Sequence, residues 1–282
     1  MTERMIRSNG VELCTESFGD PTDPPVLLIM GAGASMMWWE DAFCRALAVG
    51  GRFVIRYDHR DTGRSTGFPP GLPPYPGDDL VADAVGVLDA YGVPAAHLVG
   101  VSAGGGLAQL FALDIPDRVR SLVLISTTAA TAGVAGLPPP SEAFGRFVST
   151  TTVDWSSAES VVEYQLDYAR MLAGDKRPFD EAGMRDLIRA DAERARDIAA
   201  VRNHDLLAGD SRPRGPLSSI TAPTLVIHGT ADPMFPPAHG AALAEEIPGA
   251  RLLMLEGAGH GVERADWEPI VHAIHEHTSE VR

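Results

Sequence analysis

The chain has 282 residues, 45% hydrophobic and 22% charged, which suits a single large α/β domain with a buried sheet. With 38 acidic side chains against 23 Lys and Arg, its formal charge of −15 repels phosphate backbones and anionic headgroups, so neither nucleic acid nor a membrane surface is an expected partner. The two cysteines, Cys14 and Cys44, allow at most one disulfide and no Cys-x-x-Cys site. No apolar run is long enough to span a bilayer and Met1–Arg7 lacks the apolar stretch of a secretory signal, so a cytoplasmic location is expected.

Short apolar runs alternate with helical patterns, the rhythm of a mostly parallel, doubly wound sheet. Val26 to Met30 reads as a buried strand between Pro24-Pro25 and Gly31, followed by a helix over Glu40 to Ala48. The strand Phe53 to Tyr57 leads into a loop rich in charge, Gly and Pro that runs to Asp78. Asp79 to Tyr91 carries Leu80, Val81, Ala84, Val87, Leu88 and Tyr91 on one helical face, with Asp78 or Asp79 as the expected N-terminal cap and Gly92 as the left-handed stop. His97 to Val101 is a strand, Gly104 to Leu113 a helix, and Val119 to Ile125 another strand.

From Thr127 to Ser218 the strand signal lapses, and helical stretches such as Ser157 to Met171 and Asp180 to Val201 dominate. Pro138-Pro139-Pro140 and Arg212-Pro213-Arg214-Gly215-Pro216 bracket this region, which predicts a helical cap over 129–217 inserted between late strands of a core made of 1–128 and 218–282. The rhythm resumes with Thr224 to His228, a helix over Ala238 to Ile247, the strand Arg251 to Leu255 and a helix from Asp266.

Gly100-Val101-Ser102-Ala103-Gly104 is a G-x-S-x-G sequence placed between a predicted buried strand and a predicted helix. A turn there lifts the serine hydroxyl above the sheet edge, and the glycines remove Cβ atoms that would crowd the neighbouring backbone. A serine hydroxyl is a weak nucleophile and needs a base, and the base needs an acid to fix its tautomer. Of the nine histidines, His260 in Glu256-Gly257-Ala258-Gly259-His260-Gly261 lies in a flexible loop just after the last strand, where it can reach over the elbow. His228 ends a strand and reads as a core or supporting residue, and His97 lies within one. His272, His275 and His277 fall on the terminal helix, where a solvated face is expected rather than a metal site. The acid is assigned to Asp232, in the turn Gly229-Thr230-Ala231-Asp232-Pro233 that follows a strand, because the competing position after the preceding strand holds Ser126.

These features together resemble the α/β-hydrolase superfamily. Val54 to Ser65, reading VIRYDHRDTGRS, and Phe18-Gly19-Asp20-Pro21 are similar to the aclacinomycin methylesterase group, which removes a methyl ester from an anthracycline ring system. The resemblance implies an oxyanion hole made by the backbone N–H groups of Ala32, in Gly31-Ala32-Gly33, and Ala103. Met36, Met37, Trp38 and Trp39 follow that loop and are candidate walls of an apolar substrate pocket. A dinucleotide reading of Gly31 to Met36 fails because Met36 stands where a small residue should pack.

The expectation is therefore a serine hydrolase that cleaves a carboxylic ester, either the methyl ester of an aromatic polyketide that the resemblance implies or another apolar ester, through an acyl-enzyme formed by Ser102, His260 and Asp232, without a metal or organic cofactor. A C–C bond hydrolase, a cofactor-free perhydrolase and a ligand-binding relative with a vestigial triad share these residues. Epoxide hydrolases and dehalogenases need Asp where Ser102 stands. The natural ester and the oligomeric state are left open by the sequence.

Overall fold

A computed structural model describes residues 3–131, 134–207 and 213–280, so Met1, Thr2 and Arg212 of the segments weighed above lie outside the described residues. Strands β1 (Arg4–Ser8), β2 (Val11–Phe18), β3 (Pro25–Ile29), β4 (Phe53–Tyr57), β5 (Ala96–Val101), β6 (Val119–Ile125), β7 (Thr224–Gly229) and β8 (Arg251–Leu255) form one sheet in the order β1-β2-β4-β3-β5-β6-β7-β8. From β4 to β8 along that order the neighbours are parallel, and β1 and β2 add an antiparallel edge. The edge hairpin, absent from the sequence reading, turns on Asn9 (φ 47°) and Gly10 (φ 76°), the pair of positive-φ residues that a tight hairpin of matching twist requires.

Every residue of β3, β4 and β5 is buried, which is why they read as continuous apolar runs rather than alternating ones. Alternate side chains nevertheless go to different faces. Leu27, Ile29, Ile55, Leu98, Leu122 and Leu124 share one core cluster with helices α2 (Asp78–Ala90), α3 (Ala103–Asp114) and α7 (Ala238–Glu246). Val26, Leu28, Val54, Val99, Val123 and Ile125 join the other, with α1 (Asp41–Val49) and α8 (Trp267–Ser279). This is the doubly wound α/β architecture.

Between β6 and β7 lie α4 (Glu142–Thr150), α5 (Ala158–Ala173), α6 (Glu181–Arg194) and a 3-10 stretch, Ile198–Leu206. The single helix expected over Asp180 to Val201 breaks where Ala195 turns extended (ψ 141°), and the Asp197 carboxylate caps the 3-10 stretch through Ala199 N–H at 2.9 Å. Val162, Leu166 and Ile188 knit α5 to α6, and Trp38 from the core packs against them.

Three further local expectations are corrected. Neither Asp78 nor Asp79 caps α2 through its side chain: the N-cap is Gly77, and the Asp78 carboxylate instead accepts from Arg214 Nη2 at 2.5 Å. Gly92 does take the left-handed turn, at φ 66°. Cys14 and Cys44 are separate buried thiols, so the optional disulfide does not form. His277 is not on a solvated face: it is buried, its Nε2 lying 3.0 Å from Leu122 O. Among the described residues no group of three or more His, Cys, Asp or Glu could hold a metal, and no helix is long and apolar enough to cross a membrane.

The long loop after β4 is anchored on α2 by Arg60, whose Nε and Nη2 donate to the two oxygens of Asp83, each at 2.7 Å. Both residues are almost wholly buried, and without Asp83 the Arg60 guanidinium keeps only Asp79 Oδ2 at 3.2 Å, a loss of up to about 3–5 kcal/mol. Asp83→Ala should therefore lower the unfolding free energy by that amount in urea titrations, whereas Arg7→Ala, which cuts the exposed Arg7 and Glu12 pair, should be almost silent.

Candidate active site

Ser102 sits between the end of β5 and the start of α3 with φ 53° and ψ −123°, a conformation that costs a non-glycine residue about 1–3 kcal/mol. The strain is held by close packing. A Cβ at Gly100 would lie 2.3 Å from Gly104 O, and one at Gly104 would lie 2.2 Å from Ile29 O, so both flanking glycines are obligatory. Ser102 N–H donates to Ile125 O at 2.9 Å, and its carbonyl accepts from Gly105 N–H at 2.9 Å and Thr127 Oγ1 at 2.7 Å. The side chain is left half-buried, and Ala103 after it is exposed.

Asp232 lies in the turn after β7. Its Oδ1 accepts from the N–H groups of Met234 (2.9 Å) and Phe235 (2.8 Å), and its Oδ2 accepts from His260 Nδ1 at 2.8 Å. Three donors saturate and orient the carboxylate in a site where Asp232 and His260 are both buried. Donation through Nδ1–H leaves the lone pair of the neutral ring on Nε2. The loop carrying His260 is bound on two sides: Ala231 N–H donates to Ala258 O (2.9 Å), and His260 N–H donates to Leu172 O at the end of α5 (2.8 Å). Gly259 presses so close to α5 that a Cβ there would meet Leu172 O at 2.2 Å.

Strand order brings these residues together. β5, β6 and β7 are neighbours, so Ser102, Ser126 and the Asp232 turn follow the ends of adjacent strands. Gly261 N–H donates to Ser126 Oγ at 3.3 Å, which carries the His260 loop across the end of β6 toward β5. His228 is fully buried beneath the turn, with Nε2 2.7 Å from Phe235 O and 3.5 Å from Asp232 Oδ2. Desolvation lowers its pKa, so it supports the acid as a neutral ring.

The Gly31–Gly33 loop closes the other side. A Cβ on Gly31 would lie 3.3 Å from Ser102 Cβ and 3.9 Å from its Oγ, and Ala32 is exposed. Of the four candidate pocket residues, Met37 and Trp38 are half-buried, whereas Met36 and Trp39 have no exposed surface. Trp39 stacks on Phe43 at 5.4 Å within the core, so Met36 and Trp39 leave the pocket wall. Trp38 is held by its Nε1, which donates to Asp191 Oδ2 at 2.9 Å, and Ser35 Oγ donates to Asp191 Oδ1 at 2.5 Å. Burial pushes the Asp191 pKa up, and those two donors oppose the shift.

Sequence reasoning missed two further histidines beside this loop. His59 Nε2 donates to Met30 O at 2.9 Å, and Gly33 N–H donates to His204 Nδ1 at 2.9 Å. Burial lowers both pKa values, that of His59 to about 3. His204 belongs to the region between β6 and β7, which carries no motif, and no sequence signal singles it out.

A family profile described as alpha/beta hydrolase fold matches residues 24–262. The rhodomycin D methylesterase DauP of Streptomyces sp. strain C5 is 40% identical, the match covering 99% of this chain and 98% of the relative. The rhodomycin D methylesterase DnrP of Streptomyces peucetius shares the same identity and coverage. Among solved structures, the esterase RhEst1 from Rhodococcus sp. ECU1013 superposes with a TM-score of 0.77 over the whole of both chains at 22% identity, which speaks to the fold.

The His260 and Asp232 hydrogen bond has its own signature. The Nδ1 proton, shared with a carboxylate, should resonate well downfield of the amide protons in 1H NMR, and Asp232→Asn should abolish that resonance without unfolding the chain.

Proposed function

The chain belongs to the alpha/beta hydrolase family, and on that premise we propose that it is a serine hydrolase acting on a carboxylic ester, with the methyl ester of an aromatic polyketide as its substrate class. The observation that carries the mechanism is the His260 ring, oriented through Nδ1 by Asp232 at 2.8 Å, which leaves the Nε2 lone pair to act as base. The substrate class rests on the methylesterase relatives, which match almost the entire chain.

In the proposed reaction Ser102 Oγ attacks the ester carbonyl carbon as His260 Nε2 takes its proton. Asp232 holds the imidazole in place and balances the imidazolium that forms, and itself stays ionised. The tetrahedral oxyanion is received by the N–H groups of Ala32 and Ala103. Backbone donors suit the task because they are aimed before the charge develops, and losing one costs a factor of about 10²–10³. His260 returns the proton to the departing alkoxide, releasing the alcohol, and water then repeats the sequence on the acyl-enzyme. Each proton taken is given back, so neither metal nor organic cofactor enters.

Residues 129–217 are the proposed cap. Here Phe147 and Tyr164 stack at 6.0 Å with an interplanar angle of 11°, Tyr168 lies 6.0 Å from Tyr164, and Trp155 meets Tyr164 edge-on at 6.1 Å. Such a cluster suits a flat apolar substrate.

Release of p-nitrophenol from the acetate and butyrate esters should show an initial burst and then turnover, and Ser102→Ala should lose both, with kcat lower by a factor on the order of 10⁶. Asp232→Asn should lower kcat about 10⁴-fold by giving His260 the wrong tautomer. A methyl-ester panel scored by methanol release should favour polycyclic aromatic acids over aliphatic ones. A folded wild type without turnover on any ester would sink the proposal.

A further inference from the structure

The peptide group that carries the Ala32 N–H belongs to a run, Gly31-Ala32-Gly33, with little stiffness of its own. Gly33 adopts φ 72°, Gly31 has no side chain, and the turn is closed internally only by the long Ala34 N–H to Gly31 O bond of 3.4 Å. Because peptide groups are planar, the direction of the Ala32 N–H is set once the two flanking peptide planes are held. Both are held by imidazoles. The plane before it, Met30–Gly31, is fixed through Met30 O, which accepts from His59 Nε2 at 2.9 Å. The plane after it, Ala32–Gly33, is fixed through Gly33 N–H, which donates to His204 Nδ1 at 2.9 Å.

His204 is itself fixed. Its Nε2 donates to Arg60 O at 2.9 Å, which sets the tautomer and leaves Nδ1 as the acceptor. Arg60 is the residue locked bidentate onto Asp83, and the His59 and His204 rings meet edge to face at 5.9 Å. His204 thus joins the 3-10 stretch Ile198–Leu206, which is part of the proposed cap, to the loop beside Ser102.

We propose that His204 is a positioning residue that aims the Ala32 N–H at the developing oxyanion, so that seating of the cap and competence of the oxyanion hole are one event. The inference rests on the reading of Ala32 as an oxyanion donor. It goes beyond that reading by assigning the donor's orientation to a side chain outside the core. A donor misplaced by about 1 Å weakens transition-state stabilisation while leaving ground-state ester binding intact. A residue that only stabilised the fold would shift melting without separating kcat from KM.

The experiment compares His204→Leu, which removes the acceptor, with His204→Asn, whose amide oxygen takes the place of Nδ1, and His204→Gln, whose amide reaches the position of Nε2 but offers Gly33 no acceptor. For each, kcat and KM on p-nitrophenyl butyrate, the inhibition constant of an aliphatic trifluoromethyl ketone and the melting temperature are measured beside Ser102→Ala. The ketone forms a tetrahedral adduct whose oxyanion reports the hole directly. Leu and Gln should lower kcat about 10–100-fold with KM nearly unchanged and weaken the ketone in parallel, and Asn should recover most of both. Equal losses in Asn and Leu, or ketone affinity unmoved while kcat falls, would overturn the assignment. So would wild-type kcat in a folded Gln variant. Retained turnover in Ser102→Ala would instead remove the serine mechanism beneath it, an outcome that the His204 series cannot imitate. Should the Leu variant fail to fold, the contrast between Asn and Gln decides alone.

Discussion

The close approach of α3 to the ends of β3 and β5 is the constraint on which the site depends. With no Cβ at Gly104, the helix backbone comes near enough to Ile29 O and Gly100 for the chain to reverse within one residue, and that residue is Ser102. The strained φ of Ser102 is tolerated because its N–H and C=O are both committed, to Ile125 and to Gly105 and Thr127, so relaxing the turn would break several buried hydrogen bonds. A residue held this way cannot swing away from the sheet edge, and everything opposite it can be positioned against a fixed point.

Two kinds of restraint position what lies opposite. His260 and Asp232 are set by backbone groups: the Asp232 carboxylate by two N–H groups, the His260 loop by Leu172 O and by the missing side chain of Gly259. The Gly31 loop and the segment after it are set by buried charge and imidazole. Asp58 accepts from Met36 N–H at 2.9 Å and Arg64 N–H at 2.9 Å and pairs with Arg194 of α6 at 2.7 Å, while Asp191, also on α6, takes Ser35 and Trp38. Buried ionic groups of this kind add little net stability, but they are intolerant of misregistry because a lost partner leaves a charge or donor stranded.

What the sequence disclosed follows from these two kinds of restraint. Core strands such as Phe53–Tyr57 and the elbow glycines are local signals, written in consecutive residues, and the structure has them where the run of residues places them. Ser102, Asp232 and His260 could be proposed for the same reason, each lying in a short turn or loop that follows a strand. The edge hairpin was illegible although Asn9-Gly10 marks it, because in β1 only Ile6 is buried and the alternation never becomes apolar. Trp39 and Met36 read as pocket residues because proximity in sequence to the Gly31 loop says nothing about direction: the 3-10 turn at Met36–Trp38 sends Trp39 into the core and leaves Trp38 facing α6. His277 read as solvated because its partners, Leu122 O and Pro223 O, lie more than 50 residues away along the chain. His59, His204 and Asp191 belong to the same class of residue, meaningful only through distant partners.

The region between β6 and β7 therefore does more than roof the site. A detached lid would touch the core through apolar contacts that could slide. Here α6 and the 3-10 stretch after it reach the segment beside Ser102 through directional bonds, from Asp191 to Ser35, from Arg194 to Asp58 and from His204 to Gly33. At the other end of the same region, the last turn of α5 takes the His260 N–H on Leu172 O. Ser102 is fixed by the sheet, but the groups on either side of it are both bonded to the inserted helices. On the proposed mechanism, substitutions that reshape those helices for a different ester must preserve these four contacts or lose alignment at the carbonyl. The proposed mechanism thus couples specificity to catalysis through hydrogen bonds, and the aromatic face of α4 and α5, which bears none of them, is the part left free to vary.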